Sequence, residues 1–181
     1  MITYRHDPED PYSIADDTIN VVMETSNREL LVAGNGGINR FVRDQERFEL
    51  WGRDFNTDHP LEEEIIYSIE EDTEGRLWIG TYTNGVARWN PETRELRRFA
   101  HVPDDETTLS DNLIYDVYQD SKERIWVGTN NGLNLFRPET GDFRRFLHDP
   151  EDPDSLSSNT VRSIYEDDDG NLWIATVSGG L

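Results

Sequence analysis

Short apolar runs return along the chain at a fixed spacing. Leu77, Trp78, Ile79, Gly80 and Thr81 recur as Ile125, Trp126, Val127, Gly128 and Thr129, and again as Leu172, Trp173, Ile174, Ala175 and Thr176. A worn copy stands upstream at Leu30, Leu31, Val32, Ala33 and Gly34. The steps from Leu31 to Trp78, Trp126 and Trp173 are 47, 48 and 47 residues, and one period held through four copies marks a repeat architecture. Neighbouring positions keep the register. Ile14, Leu61, Leu109 and Leu156 align, as do Ile19, Ile66, Ile114 and Val161, and then Val22, Ile69, Val117 and Ile164. Downstream, Gly37, Gly85, Gly132 and Gly180 align, followed by Phe41, Trp89 and Phe136, then Phe48, Leu96 and Phe143, then Tyr4, Trp51, Phe99 and Phe146.

Within each unit the pattern is that of strands. Residues 113–119 and 160–166 mix apolar and polar positions and are rich in β-branched and aromatic side chains. Asp168-Asp169-Gly170-Asn171 and Thr73-Glu74-Gly75-Arg76 predict tight turns into the Trp-bearing strand, which is nearly all apolar and so buried on both faces. Asn84-Gly85 and Asn131-Gly132 predict the next hairpin, and Pro91-Glu92-Thr93-Arg94 and Pro138-Glu139-Thr140-Gly141 turn the chain into a fourth strand. No segment shows a sustained helical period. The fold class is therefore all-β: a β-propeller of four-stranded antiparallel blades, about four per chain, in one propeller unit over residues 1–181. The repeat units run 1–46, 47–94, 95–141 and 142–181.

Composition narrows the function classes. The 38 acidic against 17 basic residues give a net charge of −21, which repels phosphate, so no nucleic-acid partner is expected and no anionic membrane surface is favoured. No apolar run is long enough to span a bilayer, and residues 1–6 carry no export signal. With no Cys, there is no disulfide, thiolate metal site or cysteine nucleophile. The 34% apolar content is low because the apolar residues are concentrated in short strands.

The segment from Leu109 to Gly141, with Leu-Ser-Asp-Asn, then Ile-Trp-Val-Gly-Thr, then Asn-Gly-Leu-Asn-Leu-Phe and Pro-Glu-Thr-Gly, resembles the two-component-regulator propeller repeat. The unit from His148 through Leu181 is similar, and the resemblance covers the whole chain. It implies an extracytoplasmic sensor portion of a bacterial histidine kinase, in which many relatives respond to glycans, often as dimers. The expected location is periplasmic or extracellular. The first unit departs from the pattern in having Leu31 for Trp, and the second in having Arg53-Asp54-Phe55 for His-Asp-Pro.

By register, residues 1–6 match the outermost strand of a unit, while Gly180-Leu181 only open a third strand. The N-terminal strand is therefore expected to complete the last unit, as in the strand exchange that closes propellers. Four blades in one ring turn by about 90° each and eight by roughly half that. Two chains completing an eight-bladed ring are the expected partner arrangement, with the remaining blades of a parent protein as the alternative.

Candidate chemistry is sparse. The His-Asp-Pro-Glu-Asp-Pro runs at 6–11 and 148–153 have the density of a Ca²⁺ site, but recur at one repeat position, with His101-Val102-Pro103-Asp104-Asp105 a third copy, and so predict loop formers. No metal site and no cofactor are expected. Glycosidase chemistry needs two facing carboxylates, whereas neighbours such as Glu62-Glu63-Glu64 and 166–169 predict solvated turns. An Asp-box-like spacing, Asp168-x-Gly170-x-x-Trp173, lacks its Ser, where Glu166 stands. Trp78, Trp126 and Trp173 are assigned to packing between blades. Ligand-binding candidates are loop residues: Arg53, Tyr82, Asn84, His101, Asn130, Asn131 and His148, with a glycan or peptide as the ligand class. No catalytic residue is assigned, because the repetition leaves no singular constellation except His59. The leading expectation is a non-catalytic module for ligand sensing or protein interaction. The alternatives are a propeller-based lyase or glycan hydrolase, and an excised or engineered fragment of purely structural role.

Overall fold

A computed structural model describes residues 2–52 and 61–181, and these form antiparallel sheets in strict chain order. The first sheet contains β1 (Ile19–Glu24), β2 (Leu30–Gly34), β3 (Gly37–Val42) and β4 (Arg47–Leu50). The second contains β5 (Ile66–Glu71), β6 (Leu77–Thr81), β7 (Val86–Asn90) and β8 (Glu95–Phe99). The third contains β9 (Ile114–Gln119), β10 (Ile125–Thr129), β11 (Gly132–Arg137) and β12 (Asp142–Phe146). β13 (Val161–Glu166) and β14 (Leu172–Thr176) begin a fourth, extended by a bridge from Thr176 to Gly180. The only helix among the described residues is a 3-10 turn at Leu61–Glu63.

Each sheet is a propeller blade, as the period predicts. A sequence unit and a blade differ in phase: a unit from 47 to 94 holds the fourth strand of one sheet and the first three of the next. The strand-3 hairpins turn on glycine for a steric reason. Gly85 has φ +72, and a Cβ there would run into the Phe99 carbonyl and Ala100.

The core lies between sheets rather than inside one. β6 and β10 are buried at every residue, as their apolar runs require. The Trp78 ring stacks on Phe99 at 5.8 Å and meets Phe136 of the third sheet edge-on at 4.9 Å. Phe99 also packs against Phe143, so an outermost strand bears on the next blade. Leu31 holds the Trp position in the first sheet, and there Trp89 occupies the place that Phe136 holds one interface on. The bulk missing on one side is thus supplied from the other.

Polar clasps tie the inner strands together. The Glu71 carboxylate accepts from Ser26 N–H at 2.6 Å and Ser26 Oγ at 2.7 Å, in the blade before its own. Glu166 repeats the contact on Ser121 at 2.6 and 2.9 Å.

The N-terminus differs from expectation. Residues 2–6 form no strand and do not pair with β14. Tyr4 instead packs edge-on against Phe41 at 5.3 Å and Phe48 at 5.2 Å, the contact that Phe99 makes with Phe136 and Phe143. Its ring therefore keeps the repeat position although its backbone has no ladder partner.

Candidate functional site

The register of all four sheets breaks at one place. β1 skips Asn20, β5 skips Tyr67, β9 skips Tyr115 and β13 skips Arg162, each between the first and third residue of the innermost strand. These are bulges, which re-aim one side chain out of the strand's alternation. The apolar residues around them hold the strands in place: Ile66, Ile69, Ile114, Val117, Val161 and Ile164 are all buried. The bulge residues are left free to vary, and they do.

Three of them form a row. Tyr67 meets Tyr115 at 5.9 Å, and the Arg162 guanidinium lies over the Tyr115 ring at 3.8 Å. Tyr82, exposed on the hairpin between β6 and β7, meets Tyr67 edge-on at 5.9 Å. Asn20 donates from Nδ2 to the Ile66 carbonyl at 2.9 Å and so joins the first blade to the second. Beneath the row, Asp116 accepts from Ile164 N–H at 2.8 Å and from Ser68 Oγ at 3.3 Å. Burial pushes the Asp116 carboxyl above its ordinary range, against these hydrogen bonds. Burial likewise pushes Glu70 up, opposed by the Gln119 backbone N–H.

The loop candidates gather around the same end of the blades. Gly85 N–H donates to the Asn112 carbonyl at 3.0 Å and Gly132 N–H to the Asn159 carbonyl at 2.6 Å, tying hairpins to the loops that enter the next blade. Asn84 and Asn131 donate their backbone N–H to Thr81 Oγ1 and Thr129 Oγ1 at 3.0 and 3.1 Å, with exposed side chains. Asn130 donates its N–H to the Leu113 carbonyl at 3.0 Å, and its side chain is exposed. The histidines are loop formers. Nδ1 of His6, His101 and His148 donates to the carbonyls of Ile14, Leu109 and Leu156 at 2.9, 2.7 and 2.6 Å. Arg53 and His59 lie outside the described residues.

Sequence reasoning missed Tyr67, Tyr115 and Arg162. Their signal was a position in phase within the repeat but changing in identity, Asn-Tyr-Tyr-Arg, with an aliphatic residue always one place before it and two places after it. At the opposite end, the carboxylate that organises the turn is Asp167, and it recurs as Asp72 and Asp120, six residues before each Trp. Each accepts from the Trp Nε1–H at 2.8 Å, so the Asp and the Trp come as a pair. The first blade, with Leu31, has Thr25 instead. Among the described residues, no cluster of three or more His, Asp or Glu is arranged to hold a metal.

Four blades in sequence order, the Asp–Trp turn and the looped end now stand together, and three segments, residues 60–83, 108–131 and 155–178, match the family described as two component regulator propeller. Those three segments are similar to the two component regulator propeller repeat. A search of the curated proteins returns no match. Among solved structures it is similar to the extracellular domain described as that of a hybrid two component system from B. thetaiotaomicron, at TM-score 0.74 and 23% identity over 90% of this chain and 21% of that one. A second such domain from the same organism matches at TM-score 0.67 and 21% identity over 99% of this chain and 28% of that one. Virginiamycin B lyase from Staphylococcus aureus matches at TM-score 0.60 and 17% identity, over 89% of this chain and 50% of that one. These likenesses establish the propeller fold. The chain spans only 21% and 28% of the lengths of the two extracellular domains it resembles.

Proposed function

We propose that this propeller segment is a non-catalytic, extracytoplasmic ligand-sensing module, and that its ligand is a carbohydrate bound along the bulge row. The observation that carries the reading is the line of Tyr82, Tyr67, Tyr115 and Arg162, set by a bulge on each inner strand and ringed by polar hairpins. Tyr presents an apolar face together with a hydroxyl, which suits a sugar ring with its C–H face and its hydroxyl rim. The family's membership in two component systems supports sensing as the use of such a site. No helix among the described residues is long and apolar enough to cross a membrane. A glycan array read with the full chain, and with Tyr67→Ala/Tyr115→Ala, tests the proposal. Binding by the wild type and a loss of about tenfold or more in the variant are expected. An array without a hit, or a variant that binds as well as the wild type, overturns it.

A second part of the reading is self-association. The first blade exposes Ile19 and Val22, and the fourth exposes Trp173 and Tyr165, at positions whose counterparts pack between blades elsewhere in the chain. A second copy supplies the complementary face to each, toward an eight-bladed ring. Its junction is weaker than the internal ones, because Asp168 stands where Ser26, Thr73 and Ser121 meet the carboxylate or amide of the next blade. A monomer mass at micromolar concentration overturns this part alone.

A further inference from the structure

The loop leading into the sheets is built alike at residues 6–14, 101–109 and 148–156. In each, the hydroxyl of Ser13, Thr108 or Ser155 accepts from the N–H of Asp7, Val102 or Asp149, at 2.9, 3.0 and 2.9 Å. In each, the carbonyl of Asp10, Asp105 or Asp152 accepts from the N–H of that hydroxyl residue, at 3.1, 3.4 and 3.1 Å. The loops differ in what fills them. In the third blade the filler is Arg145 of β12. Its Nε–H donates to the Thr108 carbonyl at 2.8 Å. One Nη lies within 2.6 Å of the Asp105 carbonyl, 2.9 Å of the Leu109 carbonyl and 3.0 Å of Thr108 Oγ1. The loop is thus a cage of oxygen acceptors sized for a guanidinium.

The first blade has the same cage without the cation. Arg145 sits opposite Asn134, and Leu50 sits opposite Asn39, where Asn39 and Asn134 play one role by accepting from Ala15 and Ser110 N–H. Leu50 has no donor. Around it, His6, Asp7, Asp10, Ser13 and Leu50 line a cavity of about 590 Å³. Arg40 and Arg47 also border the cavity, but each is engaged. Arg40 pairs with Glu29 and Glu49 at 3.2 and 2.8 Å, and Arg47 pairs with Glu49 at 2.6 Å while lying over the Tyr12 ring at 4.1 Å. The carboxylates of Asp7 and Asp10 beside the acceptor carbonyls favour a positive guest, and hydrogen bonds to a charged donor are the stronger kind.

We propose that the cage of residues 6–14, closed by Leu50, is a binding site for a guanidinium-class cation, such as the side chain of an arginine in a peptide. It is separate from the bulge row and does not depend on the sensing proposal. The third blade supplies the template: what Arg145 does within the chain at one cage, a ligand does at the other.

The test is a nitrogen-labelled NMR titration of the full chain with methylguanidinium, and with tetramethylammonium as a cation of equal charge that has no N–H. Saturable shifts of the amides of residues 7–14 with methylguanidinium, and none with tetramethylammonium, are expected. Leu50→Arg should fill the cage from within and weaken methylguanidinium binding by about tenfold or more. Arg145→Leu should open a second methylguanidinium site on residues 102–109, which keeps the proposal testable if Leu50→Arg does not fold. Absence of saturable shifts in the wild type, equal shifts with tetramethylammonium, or undiminished binding by Leu50→Arg overturns it.

Discussion

The junctions between blades and the two outer faces use the same side-chain positions with different outcomes. Trp78 is 0% exposed and Trp126 7%, while Trp173 is 48% exposed. Val22 is 64% exposed, while Ile69, Val117 and Ile164 are all buried. Trp173 nonetheless keeps the local bond of its kind, donating Nε1–H to Asp167 at the same 2.8 Å as Trp78 and Trp126 to their aspartates. The hairpin is therefore a property of the unit, and burial is a property of the neighbour. Such a chain is a one-dimensional array, in which each blade draws part of its stability from the face of the next.

The comparison breaks most sharply at the tryptophans. Trp78→Ala leaves a large cavity between two blades and should cost about 3–5 kcal/mol. Trp173→Ala removes a ring that is half-exposed in the single chain and, at concentrations too low for copies to pair, should cost about 1 kcal/mol or less. Chemical denaturation of the two variants reads the difference directly. Equal losses would mean that Trp173 is covered in solution, which is the outcome self-association requires at concentrations where copies pair.

That asymmetry also separates what the residues alone could tell from what they could not. The 47-residue step, the strand order and the inter-blade role of Trp78 and Trp126 were legible because side chains that pack between blades must recur in phase. The histidine loops were legible for the same reason. The bulges were not, since strict alternation assigns every strand residue to one of two faces, and a skipped residue such as Tyr115 belongs to neither. Nor does alternation show that Asp167 rather than Asp168 closes the last turn. That depends on which carboxylate reaches the Trp Nε1–H, a contact across six residues. The missing strand at residues 2–6 is a matter of partner: a strand needs a ladder, and the described fourth sheet offers none there.

A smaller break lies in the turn carboxylates. Asp120 accepts from Trp126 Nε1–H at 2.8 Å, Arg124 Nε–H at 2.6 Å and two backbone N–H groups, with its side chain out of contact with solvent. Asp120→Asn replaces one acceptor oxygen with a donor facing those donors, and should cost about 1–3 kcal/mol as buried groups lose partners. Asp167→Asn, in the open fourth sheet, should cost less by thermal melt, because water reaches the groups it abandons.

The smallest effect is one of pH, and its sign differs between the Asp167 turn and the buried carboxyls Asp116 and Glu70. Trp173 Nε1–H, with the Asn171 backbone and side chain, holds the Asp167 carboxyl down from 3.8 to about 2. A depressed carboxyl contributes stability that is present above its ordinary value and lost as pH falls through the folded one. The fourth-blade turn should therefore hold to about pH 4 and loosen toward pH 2, read by NMR on the amides of Asp169 and Asn171, which donate to Asp167. Asp167→Asn should flatten that response. Asp116 and Glu70 work the other way: burial raises both, so their ionisation opposes folding at neutral pH and acid relieves it as pH falls through their raised values. Acidification should thus ease the packed inner strands before it opens the exposed turn. If the Asp169 and Asn171 amides and the core amides moved together in one transition, the blades would be melting as a single unit, and the separation of unit from neighbour drawn from Trp78 and Trp173 would fail.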